Sequence, residues 1–428
     1  MSNRDPTVYP NADTDDHSPD AVSRRRLLAG STAAGVAATA GCLGETSETD
    51  EGEPSADGAT VFVFNTGDGT VSLIDPETDA VVGSRHLGLS ASFPSNQYSP
   101  RLTTAASDTL WLNVDRGVRG LTAGSLGETA SFETGSGANW LEQTPDGQHL
   151  VVSAREPAHT LFRLDADPDS ETFGEQTGVI DRTSEGGRGD NDGPGPCDVT
   201  IHPDGQYAYV PDLFGDTLTV VDIESFEIAT QIDVEPVGDA PAEPWMGTVS
   251  WDGTRLLIEH NEGETGTESI WDTSAPATPE LIARLTVDDG FGEGPLTSEI
   301  GPDSEVGYVF TPSTNDVTVV DLAGEVIDRL DVGGAAFVGT WGPARESLYV
   351  PVQTANEVAV IDHASREVST TIDVGDSPYG ATAAMVRPET DDTDALVSTL
   401  AGLGVFAATT ETTYCIGECA CGHRLESE

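Results

Sequence analysis

Lysine is absent from this chain of 428 residues, and all 19 basic side chains are arginines, set against 74 aspartates and glutamates. Without lysine there is no ammonium group for a phosphate-binding loop of the Walker type or for a Schiff base. The formal net charge of −55 repels phosphate backbones and argues against a nucleic-acid partner. Because 37% of the residues are hydrophobic and the acids are spread along the chain, the sequence predicts a folded protein.

The excess of acidic residues has a physical consequence for folding. Carboxylates at this density repel one another and oppose compaction unless salt screens them, and the Debye length falls to about 3 Å at molar ionic strength. A lysine-free, acid-rich composition resembles that of halophilic archaeal proteins. We therefore expect a protein that folds well only at high salt.

The first 59 residues carry targeting signals and no predicted fold. Arg24 and Arg25 precede an apolar stretch of 14 residues, 27–40, which is too short and too mild to span a bilayer. This pattern resembles a twin-arginine export signal. It runs into Thr39-Ala-Gly-Cys42, which resembles a lipobox whose cysteine is lipidated after cleavage.

These resemblances predict how the start of the chain is divided and where the protein is located. Residues 1–41 form the signal region, and residues 42–59 form an acidic, flexible tether. Lipidation of Cys42 would hold the protein on the outer face of the cytoplasmic membrane after export by the twin-arginine translocase. Without lipidation, an ordinary cleaved signal would leave the protein secreted.

Residues 60–410 repeat a pattern of short strands. In four segments a β-branched strand, a polar turn and a second strand ending in aspartate follow one another, as in 209–210 with 217–222. Turns of the Pro-Asp-Gly type, at residues 145, 203, 251 and 302, precede most of the repeats. Four short strands that recur every 40–50 residues or so are typical of a β-propeller.

The strand pattern also carries a family resemblance. With Tyr-Val at 209, 308 and 349, the chain resembles the YVTN-repeat β-propeller family, which implies an all-β ring of four-stranded blades. Strand triplets that begin at residues 61, 110, 149, 207, 255, 307 and 348 predict seven blades. A final strand from Gly380 to Val386 would complete the first blade and close the ring. Further strands expected at 395–400 and 404–408 leave an eighth, incomplete blade as the alternative.

Propeller geometry places a candidate ligand site at one mouth of the central channel. The loops that lead into the innermost strands carry Trp140, Trp245, Phe337 and Tyr379, and a neighbouring loop carries Asn261. Aromatic and polar groups that converge on a concave mouth are typical of a binding site. The alternative is that the aromatic side chains only fill the apolar wall of the channel.

The C-terminal segment, residues 411–428, contains a set of metal-ligating side chains: Cys415, Cys419, Cys421 and His423. Three thiolates and an imidazole suit zinc or copper. Their spacing resembles the ligand loop of the dinuclear copper site in cytochrome oxidase subunit II and nitrous-oxide reductase, although Glu426 stands where that family has methionine. The alternative is a disulfide framework that includes Cys197, because four cysteines remain once Cys42 is lipidated.

An acidic, glycine-rich loop, residues 186–197, leads into the fourth blade. The side-chain oxygens of Asp190, Asn191 and Asp192 would suit calcium, although no complete calcium-loop pattern is present. An exposed acidic loop explains the composition equally well.

Two classes of function are consistent with these features. The first, which we favour because no convincing catalytic set is present, is an extracytoplasmic binding module for a ligand or an envelope protein. The second is an enzyme. Residues 203–213 resemble the corresponding stretch of propeller lactonases related to phosphogluconolactonase, with Asp212, His260 or Glu262 as the general base. A metal or redox protein that uses the C-terminal cysteines is the other enzymatic alternative.

Overall fold

A computed structural model describes residues 57–89, 91–94, 103–114, 116–189 and 191–405, which form seven antiparallel sheets. The first half of the chain supplies β1 (Asp57–Asn65), β2 (Thr70–Asp75), β3 (Ala80–His86), β4 (Thr109–Val114), β5 (Gly117–Thr122), β6 (Glu128–Glu133), β7 (Ala138–Gln143), β8 (His149–Ala154), β9 (Thr160–Asp165), β10 (Gln176–Asp181), β11 (Thr200–Ile201), β12 (Tyr207–Asp212) and β13 (Thr217–Asp222). The second half supplies β14 (Glu227–Asp233), β15 (Pro244–Val249), β16 (Arg255–His260), β17 (Thr267–Asp272), β18 (Glu280–Leu285), β19 (Ser298–Ile300), β20 (Val306–Thr311), β21 (Asp316–Asp321), β22 (Val326–Asp331), β23 (Thr340–Trp341), β24 (Ser347–Val352), β25 (Glu357–Asp362), β26 (Glu367–Asp373), β27 (Pro378–Val386) and the helix α1 (Asp392–Gly402).

Each sheet is one blade of a seven-bladed propeller. Blade 1 combines both ends of the fold in the order β27-β1-β2-β3, and blades 3 to 7 take four consecutive strands each, from β7 to β26. Blade 2 consists of β4, β5 and β6, and Ser92 pairs with Asn113 at the position of its innermost strand. The predicted ring and its closing strand are therefore confirmed. In six blades the predicted strand triplets begin within one residue of the observed ones.

The ring is held together by an apolar cluster between every pair of neighbouring blades. Consecutive residues of a strand point to opposite faces, so that a middle strand contributes to two clusters. In β13, for example, Leu218 and Val220 contact blade 5 while Val221 contacts blade 3. The cluster between blades 7 and 1 contains Val61 and Val358, which closes the circle. This burial on both faces explains why the middle strands are rich in apolar residues at consecutive positions.

The turns that join innermost to second strands explain the repeated Pro-Asp-Gly pattern. Gly147, Gly205 and Gly253 take positive φ angles of 77°, 76° and 72° at the last position of the pattern. Glycine adopts this left-handed conformation without a steric penalty. Ser304 and Arg345 take the same conformation at the corresponding positions of blades 6 and 7, with φ of 58° and 61°.

The strand expected at residues 395–400 is wrong, because these residues lie in α1. Asp391 caps the helix by accepting hydrogen bonds from the backbone N–H groups of Thr393 and Asp394, and Asp394 completes a reciprocal capping box. Since β27 already pairs with β1, blade 1 offers no free inner edge for a further strand. In the described part of the chain, no helix is both long enough and apolar enough to cross a membrane.

The ring has two faces, the rim face and the turn face. The rim face contains the loops that lead into the innermost strands and the loops between second and third strands. The turn face contains the Pro-Asp-Gly turns, and the ends of β27 and β1 meet there, since Asp57 pairs with Val386.

Candidate functional site

The aromatic residues predicted at the rim are brought together by the fold and fill the channel. Trp245, Phe337 and Tyr379 are at most 5% exposed, and the rings of Phe337 and Tyr379 stack with centroids 5.4 Å apart. Trp140 is partly buried and packs against the same cluster. Cys197 and Met246 also belong to it. The rim end of the channel is therefore an apolar plug in this structure.

Asp212, a predicted general base, lies in a buried ion pair. Its two carboxylate oxygens accept hydrogen bonds from Arg182 Nη1 at 2.6 Å and Nη2 at 3.0 Å. The hydroxyl groups of Thr217 and Thr219 donate to Oδ2 as well, and neither Asp212 nor Arg182 is exposed. All of these partners belong to the protein, so the carboxylate links Arg182, the residue after β10, to β12 and β13 and presents no open oxygen to a substrate.

The other predicted polar residues of the rim are engaged in the same way. His260 is fully buried, and its ring nitrogens contact the backbone oxygen of Ala242 at 3.1 Å and the hydroxyl of Ser269 at 2.8 Å. Burial lowers the pKa of His260 well below its usual value, which keeps the imidazole neutral. Asn261 donates to Glu243 Oε2 at 2.6 Å.

The carboxylate of Glu262 joins the loop between β14 and β15 to the strand β18. The backbone N–H groups of Val237 and Gly238 donate to Oε1 at 2.6 and 2.8 Å, and Arg284 donates to Oε2 at 2.5 Å. The side chain is 4% exposed. We therefore place Asp212, His260 and Glu262 outside the candidate site.

Most of the predicted metal and anchor residues fall outside the described residues. These are Arg24, Arg25, Cys42, Asp190, Cys415, Cys419, Cys421 and His423. Cys197 is described and buried, and its sulfur accepts a hydrogen bond from Asn139 Nδ2 at 3.2 Å. Among the described residues, no group of three or more His, Cys, Asp or Glu is arranged to hold a metal ion. The zinc, copper, calcium, lipid and disulfide predictions stay predictions.

A different set of residues meets in the middle of the channel. In the second strand of blade 4, Tyr209 pairs with Thr200 of the innermost strand. At this position of the innermost strand, six blades have a residue with a hydroxyl or a carboxyl group. We call this set the channel ring: Glu142, Thr200, Thr248, Glu299, Thr340 and Thr382. Two blades thus have glutamate where four have threonine.

Polar side chains of the innermost strands connect one blade to the next around the channel. An innermost strand has one edge without a strand partner, and its backbone groups need other hydrogen bonds. Glu142 Oε2 accepts from Ile201 N at 3.0 Å, and Thr248 donates to the backbone oxygen of Ser298 at 2.8 Å. Two residues before Thr200, Asp198 makes a similar link, since its Oδ2 accepts a hydrogen bond from Gly247 N of blade 5 at 2.7 Å.

Burial makes the channel carboxyl groups weak acids. Burial raises the pKa of Glu142 and of Glu299 well above the usual value. Repulsion from Asp198 adds to the shift of Glu142, although the hydrogen bond from Ile201 N opposes it, and repulsion from Glu142 and Glu259 adds to the shift of Glu299. Burial also raises the pKa of Asp198 to about 8, although its two backbone hydrogen bonds oppose the change. The channel therefore holds neutral carboxyl groups, able to donate a proton, near neutral pH.

A cavity of about 480 Å³ opens on the turn face and reaches the channel ring. Glu142 and Thr382 stand in its wall, together with the indole of Trp111. Four acidic side chains line it as well: Asp108, Asp146, Asp167 and Asp169. No arginine occurs among the described residues that line this cavity. The cavity lies between blades 2 and 3. Among the described residues, blade 2 has only the bridge between Ser92 and Asn113 in place of an innermost strand.

We expect Asp198→Asn to weaken the pH dependence of stability. The carboxyl of Asp198 titrates at about pH 8 in the folded protein and near pH 4 in an unfolded chain. Between these values the unfolded chain binds fewer protons, so this group makes the protein less stable as the pH rises from about 4 to 8. Its removal should reduce that loss by about 3–5 kcal/mol in urea unfolding at a series of pH values. The exposed Asp233→Asn should leave the profile unchanged, and an unaltered profile for Asp198→Asn would contradict the assignment.

Fold and channel together define a seven-bladed β-propeller with a hydroxyl- and carboxyl-lined channel. No protein-family model and no curated protein matches the sequence. The structure is similar to the periplasmic gluconolactonase PpgL of Pseudomonas aeruginosa, with 17% identity, 77% of this chain and 99% of that chain covered, and a TM-score of 0.60. It is also similar to a putative 6-phosphogluconolactonase of Bacteroides uniformis, with 14% identity, coverage of 77% and 100%, and a TM-score of 0.57. A protein of unknown function from Desulfotomaculum acetoxidans gives 13% identity, coverage of 77% and 99%, and a TM-score of 0.58. At these identities the likeness extends to the fold alone.

Proposed function

We propose that this protein is an exported propeller that binds a small, hydroxyl-rich ligand, neutral or cationic, in the turn-face cavity. The observation that carries the proposal is a cavity of about 480 Å³ with Glu142 and Thr382 of the channel ring in its wall. Small molecules occupy cavities of this volume. Hydroxyl, amide and carboxyl groups occur among the residues that line the cavity, and such groups match the donors and acceptors of a sugar or a sugar lactone.

The charge of the cavity wall sets the charge of the ligand. Asp108, Asp146, Asp167 and Asp169 line the cavity, and its described lining contains no arginine to balance them. A phosphorylated substrate, such as the name of the Bacteroides protein implies, would be repelled there. The proposed ligand therefore carries no phosphate, which is a difference of substrate class between proteins that share one fold.

We expect Glu142→Gln to weaken ligand binding about tenfold, since it alters the polar group at the inner end of the cavity. The measurement is calorimetric titration at high salt with D-gluconolactone, neutral hexoses and 6-phosphogluconate as probes. The exposed Glu325→Gln is the matched control and should bind as the unaltered protein does. Tighter binding of 6-phosphogluconate than of the neutral probes, or equal binding by Glu142→Gln, would overturn the proposal.

Hydrolysis is a second candidate function, and the raised pKa of Glu142 favours it. A carboxyl group that is neutral near pH 7 can protonate the ring oxygen of a lactone as the bond between that oxygen and the carbonyl carbon breaks. Water adds to the carbonyl carbon, and the carboxylate that is left takes up the proton of the added water. We place the proton donor at Glu142 because the carboxylates of Asp212 and Glu262 are taken up by internal hydrogen bonds. Release of acid from gluconolactone, with a rate about 100-fold lower in Glu142→Gln, would make the protein a lactonase. Binding without hydrolysis would make it a binding protein.

The location of the protein is proposed from its first residues. The arginine pair and the lipobox-like Thr39-Ala-Gly-Cys42 support export and tethering to the outer face of the membrane, and the repeated Tyr-Val strands support a place among YVTN-repeat propellers. We expect the double change Arg24→Lys and Arg25→Lys to retain the precursor inside a host that has a twin-arginine translocase. Cys42→Ala should still be exported but should leave the membrane fraction. Normal export of the variant that carries both Arg24→Lys and Arg25→Lys would argue against the twin-arginine route.

A further inference from the structure

Blade 5 contains a pair of buried carboxyl groups that the fold does not require. Glu259 in β16 and Glu268 in β17 lie directly opposite each other in the antiparallel register, and neither is exposed. None of their four side-chain oxygens has a hydrogen-bond partner. Two like groups in direct opposition, without partners and away from water, are costly to bury.

The other six blades provide an internal comparison. At the position of Glu268 they have only valine or leucine, in each case paired with the residue that corresponds to Glu259: Val71, Val118, Leu161, Leu218, Val317 and Val358. The position of Glu259 is taken by Phe64, Asn113, Ser153, Pro211, Phe310 and Pro351. A propeller blade therefore forms without either carboxyl, and the pair is specific to blade 5.

A third oxygen-bearing side chain lies beside the pair. Ser298 of β19 in blade 6 is 3% exposed, and its hydroxyl makes no hydrogen bond of ordinary length and angle. It nevertheless lies close enough to the carboxyl group of Glu259, across the interface between the two blades, to oppose the rise in the pKa of that group. Three oxygen-bearing side chains from two blades thus meet in one buried place without ordinary hydrogen bonds.

The charge of the surroundings is not balanced by protein groups. Asp198 lies close enough to Glu259 to repel it. Arg284 attracts Glu268, but its guanidinium is already paired with Glu262 at 2.5 Å. Burial raises the pKa of both glutamates, so that the pair takes up protons when no cation is bound. Once the pair is ionised, Arg284 is the one positive charge beside four acidic groups, and a cation would stabilise that state.

We propose that Glu259, Glu268 and Ser298 bind a hard divalent cation, calcium or magnesium, at the interface between blades 5 and 6. Carboxylate and hydroxyl oxygens are ligands that these ions prefer, and neither a thiolate nor an imidazole is among the three. Water or main-chain oxygens would complete the coordination. The site contains two acidic side chains, so it does not belong to the groups of three or more His, Cys, Asp or Glu that are absent from the described residues. It is independent of the cavity on the turn face and of the function proposed for it.

The test compares calcium binding by the unaltered protein and by Glu268→Val, which introduces the residue found in most other blades. Protein stripped with a chelator is titrated with calcium, then with magnesium, by calorimetry and by thermal melting. The titration is carried out in about 1 M KCl at about pH 8.5, so that salt screens the surface carboxylates and the buried ones are ionisable. The exposed Glu280→Gln of the same blade is the matched control.

We expect the unaltered protein and Glu280→Gln to bind one equivalent of cation and to melt at a higher temperature when it is present. Glu268→Val should bind at least about 100-fold more weakly and should melt at a temperature that the cation does not change. If Glu268→Val fails to fold, Glu259→Gln should show the same loss of binding. An equal response in these variants would assign the binding to surface carboxylates, and no binding by the unaltered protein would leave the pair without a cation; either result overturns the proposal.

Discussion

Arg182→Ala is expected to lower the free energy of unfolding by about 3–5 kcal/mol. The guanidinium of Arg182 donates two hydrogen bonds to Asp212, at 2.6 and 3.0 Å, and two to Glu185, at 3.0 and 2.9 Å. Neither Arg182 nor Asp212 is exposed. Removal of the arginine leaves the carboxylate of Asp212 buried without its counter-ion, and such a charge is far more costly than the loss of one hydrogen bond.

Two comparisons test the cause of this effect by urea unfolding at high salt. Arg255→Ala removes an arginine from the exposed pair with Asp272, whose nitrogen and oxygen are 3.5 Å apart, and should cost less than about 1 kcal/mol. Adding Asp212→Asn to Arg182→Ala should recover part of the lost stability, because it removes the unpaired charge. Equal costs for Arg182→Ala and Arg255→Ala would contradict the structural role given to Asp212.

A chain that ends at residue 376 is expected to lose the folded ring altogether. It lacks β27, whose nine residues form the innermost strand of blade 1 and pair with β1. Ala381 and Ala383 belong to the apolar cluster between blades 7 and 1, and Ala384 and Val386 belong to the one between blades 1 and 2. The loss of this strand opens two interfaces at once and leaves β1 as an unpaired edge, which favours aggregation.

A chain that ends at residue 390 is the matched control, because it keeps β27 and lacks α1. The helix has one buried residue, Ala401, and its ion pair between Arg85 and Asp394 is about 30% exposed on each side. Such contacts contribute little. We expect circular dichroism and thermal melting to show a folded ring within a few degrees of the full-length protein for the longer chain only. A cooperative melt for the chain ending at 376 would show that the ring does not depend on its closing strand.

The fold was predictable because its determinants are local and repeated. In blades 3 to 7 the second strand follows a turn that contains a residue with positive φ, as at Gly147 and Gly205, and most middle strands place apolar residues on both faces. The helix α1 was not predicted, since Ala395-Leu-Val-Ser-Thr-Leu400 is β-branched in part and the capping box of Asp391 and Asp394 outweighs that preference.

The candidate site was harder to predict, because it depends on which side of a strand each residue occupies. The lactonase-like stretch 203–213 predicts Asp212 as a general base, but Arg182, 30 residues earlier, reaches it in the folded blade and holds its carboxylate in a buried ion pair. Glu142 and Glu299 were missed, although each lies three residues before a turn proline where other blades have threonine. Aligning the repeats by their turns would have revealed both, whereas the cavity beside Glu142 arises from the irregular second blade and has no signal in the sequence.

The way in which the ring closes brings the start of the described fold to the face that bears the cavity. Asp57, where that fold begins, pairs with Val386 on the face that bears the turn at Pro145, and Pro145 lines the cavity. The segment that precedes the ring therefore joins it on the same face from which a ligand would enter the cavity.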